Sequence, residues 1–357
     1  MSRGARLAAH RAVSTSLASC SDRSLHELVD AATPIGSGIG GKTVLLEIDG
    51  TPVFVKQVRL TDLERQPEHV HSTANVFELP VFCQYGIGSI GGPGFGAWRE
   101  LAVHTMTTEW VTAGDYDGFP LMYHWRVLPG ARRPLPEELA DVERAVAYWG
   151  GGSGVRRRIE ALQQSSASLM LFLEYIPQNL HDWLGVQIGA GGEVADRACA
   201  MVDSELEAGV SFMNARGMLH FDAHFENILT DGRRLYFADY GLATSTRFEL
   251  SQDETDFFDR HRTYDRSYTL TYLVNWLAVA LYGYGPEERK AFVRACAGGM
   301  APAEIPPTVA AVLLRYAPVA AAMGDFSRRF QQESRATPYP LEVVRRTALL
   351  VGPVPPR

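Results

Sequence analysis

Apolar and polar residues alternate over short stretches in the first half of the chain and follow a helical period in much of the second half. Thr43–Ile48 and Pro52–Val58, joined by Asp49-Gly50, predict a β-hairpin. The uninterrupted apolar run Leu169–Leu173 predicts a buried strand. Between Glu193 and Ala215, apolar side chains recur at the spacing of one helix face, which predicts a long amphipathic helix.

The same patterns assign structure to most of the remaining chain. We expect strands at Leu79–Tyr85 and Phe119–Leu128, a helix at Trp98–Trp110 and a polar helix at Pro136–Tyr148. Helices are also expected within the C-terminal stretches Glu287–Gln332 and Leu341–Leu350. The pattern in residues 1–30 predicts a helix or an N-terminal tail, to which we assign no catalytic or binding role. The uncharged run Ser267–Gly285 has too short an apolar part to span a membrane and predicts a buried helix.

A second hairpin carries polar residues at its open ends. Its apolar runs, Asn227–Leu229 and Leu235–Ala238, flank the turn Thr230–Arg233. Such a hairpin would bring Asp222, Asn227 and Asp239 to one rim. Three oxygen-bearing side chains could there hold Mg²⁺ and orient an attacking hydroxyl, as phosphoryl transfer requires.

A glycine-rich segment and a lysine suggest a second half of the same site. Gly36, Gly38 and Gly41 would let the backbone approach phosphate oxygens closely. Lys56 lies within an apolar strand, where an ammonium group needs an anionic partner. Glu100, in the first turn of the predicted central helix, is the candidate partner; the alternative is a solvated glutamate that interacts with the helix dipole.

A dinucleotide-binding fold is a competing interpretation. Gly86, Gly88 and Gly91 lie between a predicted strand and a predicted helix, which is the order found in that fold. Gly92–Gly94 interrupt the passage into the helix, and no alternating series of strands and helices follows. These features disfavour that fold.

Charge and cysteine content narrow the class of function. The net charge of −7 argues against a nucleic-acid partner and favours a cationic one. Four widely spaced cysteines indicate neither a zinc site nor a disulfide framework. We therefore expect reduced thiols in a cytoplasmic protein that is not bound to a membrane.

Five acidic residues after Asp239 could attract a basic acceptor or form a solvated loop: Glu249, Asp253, Glu254, Asp256 and Asp259. The oligomeric state is not predicted.

The order of these motifs resembles that of the eukaryotic-like protein kinase superfamily, over roughly residues 34–285. His220-x-Asp222-x-x-x-x-Asn227 is similar to the catalytic loop, and Asp239-Tyr240-Gly241 to the magnesium-binding segment. The resemblance implies an α+β, two-lobed kinase-like fold with a β-rich N-lobe and a mainly helical C-lobe. We expect an N-lobe with insertions at 31–173, a hinge at 174–178 and a C-lobe at 179–357.

The resemblance also implies residue roles in an ATP- and Mg²⁺-dependent reaction. Asp222 would orient the acceptor hydroxyl or take its proton, while Asn227 and Asp239 would hold Mg²⁺. Lys56, supported by Glu100, would contact the α- and β-phosphates. In the connector after the buried strand, backbone groups of Glu174 and Ile176 would be free to contact the adenine edge.

Departures from the family pattern bear on the acceptor. Phe221 replaces the arginine that often reads a phosphorylated activation loop, and His224 occurs where aminoglycoside-phosphotransferase-like enzymes often have histidine. The aspartate that normally anchors the catalytic loop is replaced by Leu273 in one register, whereas Asp265 would serve in a shifted register. We predict Ser/Thr of a protein or peptide as the acceptor. The alternatives are a cationic small molecule and a pseudokinase that binds nucleotide without turnover.

Overall fold

The protein is a mixed α+β chain, and its computed structural model describes residues 2–38, 41–88, 90–130 and 132–351. Two compact units divide the chain. The first comprises Met1–Ile176 and Ala238–Thr255, and the second comprises Pro177–Phe237 and Asp256–Arg357. The division after Ile176 falls inside the predicted hinge 174–178. Residues 1–30 and 238–255 belong to the first unit, which differs from the boundaries predicted from the sequence.

The described residues form ten strands. In chain order they are β1 Thr33–Gly38, β2 Gly41–Ile48, β3 Thr51–Leu60, β4 Met122–Pro129, β5 Ala167–Glu174, β6 Gln178–Asn179, β7 Met218–Leu219, β8 Ile228–Thr230, β9 Leu235–Phe237 and β10 Thr244–Ser245.

Thirteen α-helices and one short 3₁₀-helix, Val81–Gln84, complete the described secondary structure. The α-helices are α1 Arg3–Ser19, α2 Asp22–Ala31, α3 Ala97–Ala113, α4 Glu137–Ala140, α5 Val142–Tyr148, α6 Ser153–Gln164, α7 Leu180–Ala190, α8 Gly192–Ala215, α9 Gln252–Arg260, α10 Tyr264–Tyr282, α11 Pro286–Ala297, α12 Pro307–Gln332 and α13 Leu341–Val351.

The first unit is organised around a five-stranded sheet with the order β1-β2-β3-β5-β4, in which all neighbours are antiparallel. Asp49 and Gly50 make the predicted turn between β2 and β3, and both have positive φ. Because side chains alternate between the faces of a strand, Val58 and Leu60 of β3 pack with α3 on one face of the sheet. The antiparallel sheet excludes the dinucleotide-binding alternative, which requires parallel strands.

The glycine-rich segment lies in a hairpin that the sequence patterns did not predict. Gly36 and Gly38 belong to β1 and Gly41 begins β2, so the glycines do not form a loop before the first strand. Residues 39–40, at the tip of this predicted phosphate loop, lie outside the described residues. Only glycine fits at position 41, because φ is +122° and an added Cβ would lie 2.1 Å from the Gln57 carbonyl oxygen.

Three predicted elements of the first unit differ from the observed ones. The expected strand Leu79–Tyr85 is a 3₁₀-helix, which begins directly after Pro80. The strand expected at Phe119–Leu128 starts at Met122 and ends at Pro129. The polar helix expected at 136–148 is two helices, because Asp141 leaves the helical conformation and its side chain caps α5 by accepting from the Arg144 N–H.

The second unit is mainly helical. Helix α8 packs on α7 and α12, and α12 also packs on α10, α11 and α13. Strands β6, β8 and β9 form a small sheet, in which β8 and β9 are the predicted hairpin after the catalytic-loop motif. The sequence predicts a buried helix at Ser267–Gly285, and this run falls largely within α10.

One described helix, α12, is long and apolar enough to cross a membrane by length and composition alone. Half of its most apolar window is buried inside the protein, as it would be in a core helix. This helix is not the segment that the sequence patterns singled out, Ser267–Gly285.

Candidate active site

Lys56 is the centre of a buried charged group in the first unit. Its Nζ atom lies 2.6 Å from Glu100 Oε1 and 2.8 Å from Asp239 Oδ1. The side chains of Lys56 and Glu100 are 5% and 3% exposed, whereas that of Asp239 is 43% exposed. The contact with Glu100 is the predicted one, and the contact with Asp239 adds a second carboxylate. We call Lys56, Glu100 and Asp239 the Lys56 cluster.

Local structure explains how these three side chains meet. Lys56 lies on the face of β3 that packs with α3, and Glu100 is in the first turn of α3. The start of α3 is held by Glu64, whose carboxylate accepts the Ala97 N–H at 2.7 Å and pairs with Arg158 at 2.8 Å. Burial raises the pKa of Glu64, but Arg158 and hydrogen bonds from Thr61 and Ala97 outweigh it and lower the pKa below its usual value.

Electrostatics keep the Lys56 ammonium charged. Burial lowers the pKa of Lys56, but the carboxylates of Asp239 and Glu100 outweigh this effect and raise it above its ordinary value. Burial raises the pKa of Glu100, and the charge of Lys56 opposes that rise. The result is a fixed positive charge beside one accessible carboxylate, Asp239.

A neutral histidine borders the Lys56 cluster. His104 Nε2 lies 4.0 Å from Glu100 Oε1, and its ring packs edge-on against Tyr240 with centroids 4.7 Å apart. Neither ring nitrogen of this buried histidine has a hydrogen-bond partner among the described residues. Burial and the charge of Lys56 lower the pKa of His104 to about 3, so the ring is uncharged near neutral pH.

The segment after Asp239 is tied to the rest of the first unit. The Gln84 side-chain amide donates to the Leu242 carbonyl oxygen, and Arg99 pairs with Glu254 at 2.7 Å in a buried contact. Glu249 accepts from Ser72 Oγ at 2.5 Å and from a backbone N–H at 3.0 Å. At least three of the five acids named in the sequence, Glu249, Glu254 and Asp259, therefore have hydrogen-bonding partners among the described residues.

The catalytic-loop motif lies in the second unit and is anchored by Asp265. Its carboxylate accepts the N–H groups of His220 at 2.6 Å and Phe221 at 2.8 Å. This is the shifted register considered for the sequence, and Leu273 is a buried core residue instead. Burial raises the pKa of Asp265 to about 6, although the two backbone hydrogen bonds favour its charged form.

Phe221 supports the same loop by packing. The ring is fully buried and stacks on Tyr264 and Phe257, with centroids 4.8 and 5.5 Å away. Its φ is +63°, a conformation that costs a bulky L-residue free energy and persists only where surrounding contacts enforce it. Phe221 is thus a buried aromatic anchor of this loop.

Asp222 and Asn227 are joined by hydrogen bonds within this loop. Asn227 Nδ2 donates to the Asp222 carbonyl oxygen at 2.9 Å and to Oδ2 at 3.2 Å. Because the amide nitrogen is used in this way, Asn227 Oδ1 is the atom that could serve a cation. The described residues contain no group of three or more His, Cys, Asp or Glu side chains suited to a metal. Asn227 Oδ1 and the Asp239 carboxylate are oxygen donors, which is the type of ligand that Mg²⁺ prefers.

The predicted adenine contact is partly corrected. Glu174 is the last residue of β5, and its N–H donates to the Leu121 carbonyl oxygen at 2.7 Å, so that N–H is not available to a nucleotide. The Glu174 carboxylate receives two hydrogen bonds from Arg6, each 2.8 Å long, and one from the Leu121 N–H. Ile176 ends Met1–Ile176, the first of the two chain segments that make up the first unit.

Arg6 was missed because residues 1–30 were predicted to carry no chemistry. It is buried in α1 and also donates to the carbonyl oxygens of Asp117 and Phe119. Arg6, Val13 and Leu17 are the buried residues of this helix, and their spacing places them on one face. An arginine within an apolar helical stripe is the signal that could have identified it.

Comparison with known proteins does not identify a family. The chain matches no protein-family model, and no curated protein matches its sequence.

We expect Arg6→Ala to destabilise the first unit. The substitution leaves the Glu174 carboxylate buried without its cation, which costs roughly 3–5 kcal/mol. Urea unfolding followed by circular dichroism measures the loss. Arg11→Ala, at an exposed position of the same helix, should stay within about 0.5 kcal/mol of wild type. A loss below about 1 kcal/mol for Arg6→Ala would contradict this role.

Asp265 predicts a pH-dependent stability. A carboxyl group whose pKa is raised to about 6 in the folded chain binds its proton more tightly there than in the unfolded chain. The protonated Asp265 carboxyl group therefore contributes its full stabilisation below the pKa that it has in the unfolded chain. This contribution is lost as pH rises through about 6. Relative to Asp265→Asn, which cannot titrate, wild type should gain roughly 1 kcal/mol of unfolding free energy between about pH 7 and about pH 5.

Urea titrations of both proteins at the two pH values test this expectation. Asp259→Asn, which changes an exposed carboxylate of α9, serves as the control and should show no comparable difference. A constant difference between wild type and Asp265→Asn across this pH range would refute the raised pKa.

Proposed function

We propose that the chain is an ATP- and Mg²⁺-dependent phosphotransferase with a two-lobed, protein-kinase-like fold, acting on a hydroxyl group in the cytoplasm. The observation that carries this proposal is the buried Lys56 ammonium, held between Glu100 and the more accessible Asp239. A fixed lysine beside an accessible carboxylate is the pairing that phosphate and magnesium binding needs.

The first unit supplies the nucleotide side of this chemistry. Lys56 would neutralise charge on the α- and β-phosphates, and Asp239 would be the carboxylate for Mg²⁺. When bound, Mg²⁺ neutralises charge that develops on the transferring phosphoryl group. Glu100 orients Lys56 from its buried side, so that the ammonium needs little rearrangement when phosphate binds.

The second unit supplies the acceptor side. Asp222 would accept the hydroxyl proton while the hydroxyl oxygen attacks the γ-phosphorus and the bond to the ADP oxygen breaks. Asn227 fixes Asp222 by two hydrogen bonds and would offer Oδ1 to the metal. Asp265 holds the backbone before Asp222, which limits the motion of the base. The retention of Lys56, Asp222, Asn227 and Asp239 disfavours a pseudokinase.

A serine or threonine of a protein or peptide is the first candidate acceptor. A small cationic molecule is a second candidate, favoured by the surroundings of Asp222. The Tyr272 ring stacks near His224 with centroids 6.1 Å apart, and burial together with the charges of Glu226 and Asp222 raises the pKa of Tyr272 to about 12. Aromatic faces next to carboxylates attract cations.

Asp239→Asn should lower Mg²⁺-dependent phosphate transfer by at least ~10²-fold, because the neutral amide binds the metal more weakly. The rate of ADP formation from ATP measures the effect. Asp30→Asn, an exposed carboxylate of α2, is the matched control and should leave the rate unchanged. Turnover equal to wild type in Asp239→Asn would rule out the proposed metal role.

Asp222→Ala should abolish transfer while nucleotide still binds, because Asp222 serves the acceptor hydroxyl and makes no proposed contact with ATP. Equilibrium binding of a fluorescent ATP analogue, measured beside transfer activity, separates the two steps. Lys56→Met should instead weaken nucleotide binding as well as transfer, because Lys56 is the proposed contact of the α- and β-phosphates. If Asp222→Ala folds normally but no longer binds nucleotide, its assignment as the base is wrong.

A further inference from the structure

A cavity of about 390 Å³ lies in the first unit, away from the Lys56 cluster. Its walls include Lys42 of β2 and Arg59 of β3. Lys42 is in register with Gln57, so Lys42, Gln57 and Arg59 share the face opposite to Lys56 and Val58. The cavity is therefore on the face of the sheet opposite to α3, and its volume is within the range of small-molecule sites.

Two guanidinium groups on this face are held in fixed positions by neutral acceptors. Arg59 donates to the carbonyl oxygens of Arg133 at 3.0 Å, Leu162 at 3.4 Å and Pro134. Arg133, which also lines the cavity, donates to Gln57 Oε1 at 3.2 Å and Ser168 Oγ at 3.0 Å. These bonds place the two cations without neutralising either charge.

The positive charges have no acidic partner in the described part of the chain: Arg59, Arg133 and Lys42 form no ion pair within 4.0 Å there. Burial lowers the pKa of both arginines, and the charge of Arg133 lowers that of Arg59 further. Two neighbouring cations that repel each other in a half-buried place gain stability when an anion binds between them.

The remaining walls indicate where an anion would bind and what else it would contact. Glu137 and Glu138 line the cavity but are solvent-exposed in the first turn of α4, so the anionic group belongs on the side of the arginines. Pro134–Pro136 offer apolar surface next to that side. A compact ligand with a doubly charged oxyanion and a small apolar part suits these walls.

We propose that this cavity is a binding site for a phosphorylated small molecule, held by Arg59, Arg133 and Lys42. Planar guanidinium groups match the geometry of phosphate oxygens, and Lys42 adds a third charge at the wall. The site is separate from the nucleotide site proposed around Lys56. It shares β2 and β3 with that site, because Thr43, next to Lys42, is in register with Lys56.

Inorganic pyrophosphate is the probe, titrated into the full chain by calorimetry at low salt and without Mg²⁺. We expect saturable binding that Arg133→Gln weakens by about tenfold, since charge-assisted hydrogen bonds to phosphate are lost. Lys42→Gln should weaken pyrophosphate binding severalfold. This substitution leaves the contacts between Arg59 and residues 133–134 in place. Circular dichroism verifies that each variant is folded.

Two controls separate this site from general charge effects and from the nucleotide site. Arg132→Gln removes the same charge from an exposed position that does not line the cavity, and should leave the Kd within about twofold. Lys56→Met should bind pyrophosphate as wild type does. The proposal is overturned if wild type does not bind at millimolar pyrophosphate, if Arg132→Gln and Lys42→Gln weaken binding equally, or if Lys56→Met abolishes it.

Discussion

The burial of one ammonium group between two carboxylates is the constraint on which the first unit depends. Lys56 is almost inaccessible to water, and an unpaired charge there would cost several kcal/mol. The chain meets this cost by bringing β3, the first turn of α3 and Asp239 to one point. Because Asp239 is 183 residues from Lys56 in sequence, satisfying this charge also fixes the position of the segment that follows Asp239.

Each unit contains its own prearranged part of the proposed chemistry. Asp239 has φ of +61° and Phe221 has φ of +63°, conformations that L-residues with side chains seldom adopt. Asp239 is held by Lys56, and Phe221 is held by Asp265 and by a buried aromatic cluster. Within each unit, backbone strain at or next to a carboxylate-bearing residue is thus supported by contacts whose removal would release it.

Local sequence patterns predicted the elements that are set by local forces. The hairpin at Asp49-Gly50 and the long helix α8 follow from turn chemistry and apolar period. The Lys56–Glu100 contact followed from a different rule, that a lysine in an apolar strand needs an anion. The pairs Arg6–Glu174 and Arg99–Glu254 join residues 168 and 155 positions apart, and no local pattern contains that information. The 3₁₀-helix after Pro80 was mistaken for a strand because a short apolar run has no distinctive period.

The fixed charge of Lys56 is proposed to serve phosphoryl transfer. The most direct measurement is transfer of label from γ-radiolabelled ATP by the purified full chain, with and without Mg²⁺. The acceptors are a generic basic protein, a peptide pool and a panel of amino-sugar and basic-peptide antibiotics. We expect Mg²⁺-dependent labelling of at least one acceptor, reduced by at least ~10²-fold in Lys56→Met. Labelling by Lys56→Met at the wild-type rate, or no labelling of any acceptor by a folded wild-type chain that binds ATP, would contradict this role of Lys56.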